Sequence, residues 1–171
     1  MTLPPLILLE EYGGDWQCYL ETAYAIFLET VVKGGLTFLD KPIRCAWNPS
    51  HDNKHFSFWH VISERAASGK EEDRIPDMRR CERITWIAHI LNNIANSQEA
   101  LCWENQRTSK RGEQTHTVLY LQKERYVIVL RNKEDCYQLI TTYCVQREHK
   151  HKKLIQEYEE SVDPRNDKGR P

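Results

Sequence analysis

Two short stretches carry the residue types that acid–base and anion chemistry require. In Phe58-Trp59-His60-Val61-Ile62-Ser63-Glu64-Arg65 a histidine and a glutamate stand four apart. On a helix that spacing puts both on one face, where the Glu64 carboxylate would orient the His60 imidazole and raise its pKa. Such a pair suits proton transfer near neutral pH. A buried histidine with ordinary hydrogen-bond partners is the structural alternative for the same residues. In Leu139-Ile140-Thr141-Thr142-Tyr143, strand alternation sets Thr141 and Tyr143 on one face, with Leu139 in the same parity. Hydroxyls among apolar strand residues need partners or a ligand, so core satisfaction and substrate contact both remain open.

Cations stand near both stretches in sequence. Arg79 and Arg83 lie four apart on an expected helix, so their guanidinium groups point the same way, and Trp86 continues that face. A guanidinium binds two phosphate oxygens at once. Arg131 is a further cation in a strand, and His116 begins another and rivals His60. The basic residues gather in three groups: Arg79, Arg80 and Arg83; Arg107, Lys110 and Arg111; and residues 147–153. Each group alone can be a solvated face, but three beside one sheet point to a local anion site. The net charge of −1 argues against indiscriminate coating of nucleic acid.

Metal and disulfide frameworks find little support. The six cysteines include no C-x-x-C pair, which reads as reduced thiols in a cytoplasmic protein. His51 and His55 bracket a loop, and His149-x-His151 has no cysteine nearby, so neither metal nor cofactor is expected. The early apolar run Leu3-Pro4-Pro5-Leu6-Ile7-Leu8-Leu9 lacks a basic flank and runs into Glu10 and Glu11. It is a poor signal peptide and too short to span a bilayer, so no membrane association is expected.

The elements that must position these groups follow from periodicity and punctuation. At 171 residues, with 40% hydrophobic and 29% charged, the chain fits one globular domain over 15–161, between an N-terminal tail 1–14 and a disordered tail 162–171. Asp15 caps a helix over 16–33, which Gly34-Gly35 stops. Residues 36–47 read as extended, 48–53 as a turn, 56–64 as extended or briefly helical, and 66–74 as a polar mobile loop. A helix with Pro76 in its first turn runs to Asn96, burying Ile84, Ile87, Leu91 and Ile94. The period then changes to two, giving strands over 101–106, 115–122, 125–131 and 136–145 joined by short turns. Short links make neighbours antiparallel. A last helix covers 148–160. The fold class is therefore α+β, with N-terminal helices packed on a roughly four-stranded antiparallel sheet and a C-terminal helix.

Three segments together resemble a known family. Trp59-His60-Val61-Ile62-Ser63-Glu64, the helix Arg79-Arg80-Cys81-Glu82-Arg83-Ile84-Thr85-Trp86-Ile87, and the strands Tyr126-Val127-Ile128-Val129-Leu130-Arg131 and Tyr137-Gln138-Leu139-Ile140-Thr141-Thr142-Tyr143 look like phage-associated members of the barnase, colicin D and RelE-like ribonuclease superfamily. In that group the closing strand commonly runs from leucines into Thr-Ala-Tyr, and Thr142 stands here where the alanine would sit. The resemblance covers roughly residues 56–158. It implies helices on a four-stranded antiparallel sheet and a metal-independent endoribonuclease acting on the sheet's open face. There a base takes the ribose 2′-OH proton, the oxygen attacks phosphorus in line, cations hold the phosphorane and an acid protonates the 5′-oxygen.

Carried onto this chain, the resemblance makes His60 the acid or base and Glu64 its orienter or complement, with Arg83, Arg79 and Arg131 as phosphate clamp. Thr141 would bond phosphate, Tyr143 would stack a base or hydrogen-bond, and His116 is the second histidine. The implied substrate is tRNA, mRNA or ribosome-associated RNA, in a toxin or phage–host conflict effector with a neutralising protein partner. The alternative is a non-catalytic protein-binding module such as an antitoxin, immunity or phage accessory protein. Near-neutral charge and the acidic Glu157, Glu159 and Glu160 favour that alternative. A deoxyribonuclease is opposed by the want of a carboxylate-rich metal motif.

Overall fold

The computed structural model describes residues 1–94, 99–109 and 112–163. Asp15 caps helix α1, Trp16–Phe27, by accepting a hydrogen bond from the Cys18 amide at 3.1 Å. One π-helical turn, Leu28–Val32, carries α1 toward Gly34. A Cβ at Gly34 would lie 2.1 Å from the Thr30 carbonyl oxygen, so only glycine lets the chain turn there.

Strands β1, Thr37–Phe38, and β2, Lys41–Arg44, form a small hairpin whose turn residues Leu39 and Asp40 both have positive φ. Helix α2, Phe56–Ile62, precedes the two-residue strands β3, Ser63–Glu64, and β4, Ile75–Pro76, which pair with each other. Helices α3, Met78–Cys81, and α4, Ile84–Asn93, follow. Then come β5, Ala100–Ser109, β6, Gly112–Leu121, β7, Tyr126–Asn132, β8, Tyr137–Cys144, and helix α5, Glu148–Val162.

The architecture is α+β, but the sheet is six-stranded and mixed, in the order β1-β2-β8-β7-β6-β5. This corrects the expectation of four antiparallel strands. The meander β5 to β8 is antiparallel, and β2 joins its end parallel to β8, with Ile43 opposite Tyr137. Residues 36–47 read as extended, but a four-residue strand carries too little alternation to place it in a sheet whose partner lies more than ninety residues downstream. The expected helix to Asn96 is also divided. Pro76 sits in β4 rather than in a first helical turn, Asp77 caps α3 by accepting from the Arg79 amide, and Arg83 leaves helical geometry with φ −102° and ψ 18°.

The sheet buries apolar residues on both faces. Leu119, Leu121, Tyr126, Ile128, Leu130 and Leu139 meet α1, α2 and α4 in the main core. Val118, Tyr120 and Val127 on the other face pack with Trp103, Val145 and Leu154 of α5. Part of the face expected to lie open is thus covered by α5. Residues 1–14, expected as a tail, are laid along the main core. There the Ile7 amide donates to the Glu82 carbonyl at 3.0 Å, and Trp86 Nε1 donates to the Pro4 carbonyl at 2.9 Å.

The second expected tail lies outside the described residues from 164 onward, as do Asn96, Lys110 and Arg111. No helix among the described residues is long and apolar enough to cross a membrane. All six thiols are free, with Cys81 and Cys136 buried and Cys18 and Cys102 exposed.

Candidate functional site

Helix α2 fixes His60, and it does so against the edge of β8 that faces away from β7. Beyond Gln138 the strand has no β2 partner, and hydroxyls bridge it to α2 instead. Ser57 Oγ donates to the Leu139 carbonyl at 3.3 Å, Thr141 Oγ1 to the His60 carbonyl at 2.7 Å and Thr142 Oγ1 to the Val61 carbonyl at 3.0 Å. The last helical carbonyls, which lack intrahelical donors, are satisfied in this way. Thr141 is therefore engaged by the backbone that carries His60.

Thr141 and Tyr143 share one face, opposite Val129 and Val127, but the Thr141 hydroxyl is spent on the α2 backbone. The pairing steps from Val129 opposite Thr141 to Leu130 opposite Leu139, so Ile140 is an extra, bulged residue. Leu139 thereby loses the parity expected with Thr141 and Tyr143. Leu139 lies in the main core, while Tyr143 packs with the cluster beneath α5.

The carboxylate beside His60 is Glu71, not Glu64. Nε2 of His60 lies 2.7 Å from Glu71 Oε2. The chain leaves α2 for an extended conformation at Ser63, so helical spacing does not reach Glu64, whose Oε1 accepts from Arg80 Nη2 at 3.3 Å. The pairing of β3 with β4 closes residues 65–74 into a loop, and this loop returns both Glu71 and Arg74 to α2. Arg74 donates through Nε to Ser63 Oγ and through Nη2 to the Ser63 carbonyl, each at 2.9 Å, and its Nη1 lies 3.5 Å from Glu71.

These groups line a cleft of about 210 Å³ with His51, Phe56 and Trp59. The ring of Phe56 lies 4.0 Å from that of His60, and Trp59 Nε1 holds the His51 carbonyl at 2.9 Å. Burial pushes the His60 pKa below the ordinary imidazole value, helped by the positive charges of Arg74 and Arg80 and opposed by Glu71. This reverses the upward shift expected from a carboxylate alone. The ring is therefore neutral at neutral pH; since a carboxylate can only accept, Nε2 donates to Glu71 and Nδ1 is left with the lone pair.

A second, larger concavity of about 540 Å³ lies beyond β3, where Glu64, Arg79 and Tyr143 meet Arg80, Arg147 and Lys150. Three of the eight residues singled out in the sequence thus come together there, without His60. Arg83 is in neither cleft. Its Nη1 donates to the Arg79 carbonyl at 2.9 Å and its guanidinium lies 4.8 Å over the Trp86 ring, because the break before α4 turns it away.

His116 and Arg131 are cross-strand neighbours. Arg131 faces Gln138 whereas Tyr143 faces Val127, four positions away along β7, or roughly 13 Å. The two groups are not one site. Burial and the charges of Arg131 and Arg107 also hold the His116 pKa down.

Glu71 and Arg74 were not singled out by sequence reasoning, while His51 was weighed only as a metal ligand and Arg80 only as a member of a basic group. The signal was thin: an acidic stretch ending in arginine inside a loop, with the closing strands only two residues long. Among the described residues no three His, Cys, Asp or Glu side chains are grouped to hold a metal ion. Comparison of the chain with protein-family models, with curated proteins and with solved structures finds no match.

Proposed function

We propose that this chain is a metal-independent endoribonuclease whose reaction takes place in the His60–Glu71–Arg74 cleft. The observation that carries the reading is the 2.7 Å contact between His60 and Glu71 in a cleft that also holds a second histidine, a guanidinium and two aromatic rings. His60, neutral in its buried setting, takes the proton of a ribose 2′-OH, and Glu71 stabilises the imidazolium that forms. The 2′-oxygen attacks phosphorus and the bond to the 5′-oxygen breaks. The products are a 2′,3′-cyclic phosphate and a 5′-hydroxyl end. Arg74 places positive charge beside the developing phosphorane, and His51 returns a proton to the leaving oxygen. Phe56 and Trp59 offer faces on which a base can stack.

The competing reading, a non-catalytic binding module, draws support from residues already engaged within the fold. Thr141 is bonded to α2, Arg83 to the α3 backbone and Glu64 to Arg80. One assay separates the two. Purified protein is incubated with total RNA in excess EDTA at pH 5 to 9, and fragments are sized and tested for 2′,3′-cyclic ends. Cleavage that falls at least about 100-fold in His60→Ala supports the enzyme, by the usual worth of a general acid or base. Intact RNA from folded wild-type protein at every pH favours the binding module.

A further inference from the structure

The two clefts are linked through one carbonyl, bonded by an arginine of each. Ser63 O accepts Arg74 Nη2 at 2.9 Å from the His60 side and Arg80 Nη1 at 2.7 Å from the other. Arg80 is close enough for its charge to depress the His60 pKa. Four cations from two elements line the larger cleft: Arg79 and Arg80 of α3, Arg147 at the cap of α5 and Lys150 in its first turn.

Their charges are not spent equally. Arg79 and Arg80 lean on Asp77 at 3.3 and 3.5 Å, and Arg80 also on Glu64. Arg147 and Lys150 are exposed and make no ion pair among the described residues. In a chain of net charge −1, two uncommitted cations facing two partly committed ones in one concavity form a local positive field. The amides that open α5, a 15-residue helix, add to it.

We infer that the cleft lined by Arg79, Arg80, Arg147 and Lys150 is a second subsite, which grips backbone phosphates of the RNA strand whose scissile bond lies in the His60 cleft. The inference rests on the ribonuclease reading, and continuity through Ser63 selects RNA over an acidic protein. Arg74 lines the His60 cleft and Arg80 the larger one, and both bond the Ser63 carbonyl of β3, so a strand held at one can bring a neighbouring phosphate to the other. Tyr143, lining the same cleft, offers a ring to a base beside that phosphate.

The test measures binding separately from cleavage. Full-length protein carrying His60→Ala, which keeps the RNA uncut, is titrated with a 20-nucleotide single-stranded RNA at 50 to 300 mM salt. The same titration is run with Arg147→Gln and Lys150→Gln added, and both proteins are checked by circular dichroism and thermal melting. Two lost phosphate contacts make the plot of log affinity against log salt shallower by about 1.4, since each single-strand contact contributes about 0.7. Lys150→Arg, which keeps the charge, retains the original slope.

An unchanged slope in the folded double variant overturns the subsite even if wild-type protein cleaves RNA. A shallower slope upholds the subsite even if wild-type protein leaves RNA intact, in which case the nuclease reading alone fails. Absence of binding by the parent at every salt concentration overturns it as well, and leaves an acidic protein as the occupant to seek.

Discussion

His60 takes its properties from three charged neighbours on two segments, so its titration reports the site more sharply than its presence does. Burial, Arg74 and Arg80 hold the pKa below the ordinary value, while Glu71 pulls it upward. Replacing Glu71 by Gln removes the upward pull, so the pKa drops further. If His60 is the base, the acid limb of kcat/KM moves to lower pH in Glu71→Gln and the plateau rate falls about tenfold or more, because the imidazolium loses its counter-charge. Replacing Arg74 by Gln moves the same limb upward. Proton NMR of the His60 ring checks both directions independently of turnover; an unmoved His60 titration in both variants would contradict this account. His60 itself was legible in the sequence, since a histidine set among Phe58, Trp59, Val61 and Ile62 is conspicuous. Its carboxylate was not, because helical spacing holds only while the helix lasts and α2 stops at Ile62.

The junction of α2 with β8 is the element on which the site depends. Three hydroxyls, from Ser57, Thr141 and Thr142, replace the strand partner that β8 lacks past Gln138. Thr142 is fully buried, and its hydroxyl satisfies Val61 at the helix end. Thr142→Val keeps the shape and removes the donor, leaving a buried carbonyl unpaired at a cost of about 1–3 kcal/mol. Urea unfolding measures that loss, and a midpoint equal to wild type would show the bond to be dispensable. If α2 shifts in this variant, the His60 titration shifts with it. Read from sequence, this strand suggested a hydroxyl pair facing a substrate. The bonds of Thr141 and Thr142 to α2 were invisible there, as was the bulge at Ile140 that takes Leu139 off the face of Thr141 and Tyr143, and so a packing device resembled a binding wall.

At the scale of the whole molecule, the antiparallel meander, α1, α5 and the extended run 36–47 were legible from their period, whereas the division of the helix after Pro76 and the pairing of β2 with the remote β8 were not. The assembled fold buries its titratable groups in a way that fixes how stability varies with pH. His55, His60 and His116 all have pKa values pushed down chiefly by burial. Between the ordinary imidazole value near 6.5 and these lower folded values, the unfolded chain binds more protons than the folded one, so stability falls as pH falls through that window. The loss ends once the folded histidines also protonate. The opposite limb belongs to the thiols and phenols. Burial lifts Cys45 and Cys81 to about 12 and raises Tyr126 as well, so these groups ionise first in the unfolded chain and stability falls again above about pH 9. A plateau between about pH 7 and 8.5 follows. Urea midpoints at pH 5.5, 7.5 and 9.5 should peak at 7.5, and replacing His116 by Gln should lessen the drop toward 5.5. Equal midpoints at 5.5 and 7.5 would mean that these rings become hydrated before the fold gives way, and the account of a His60 ring kept neutral by burial would have to be abandoned with it.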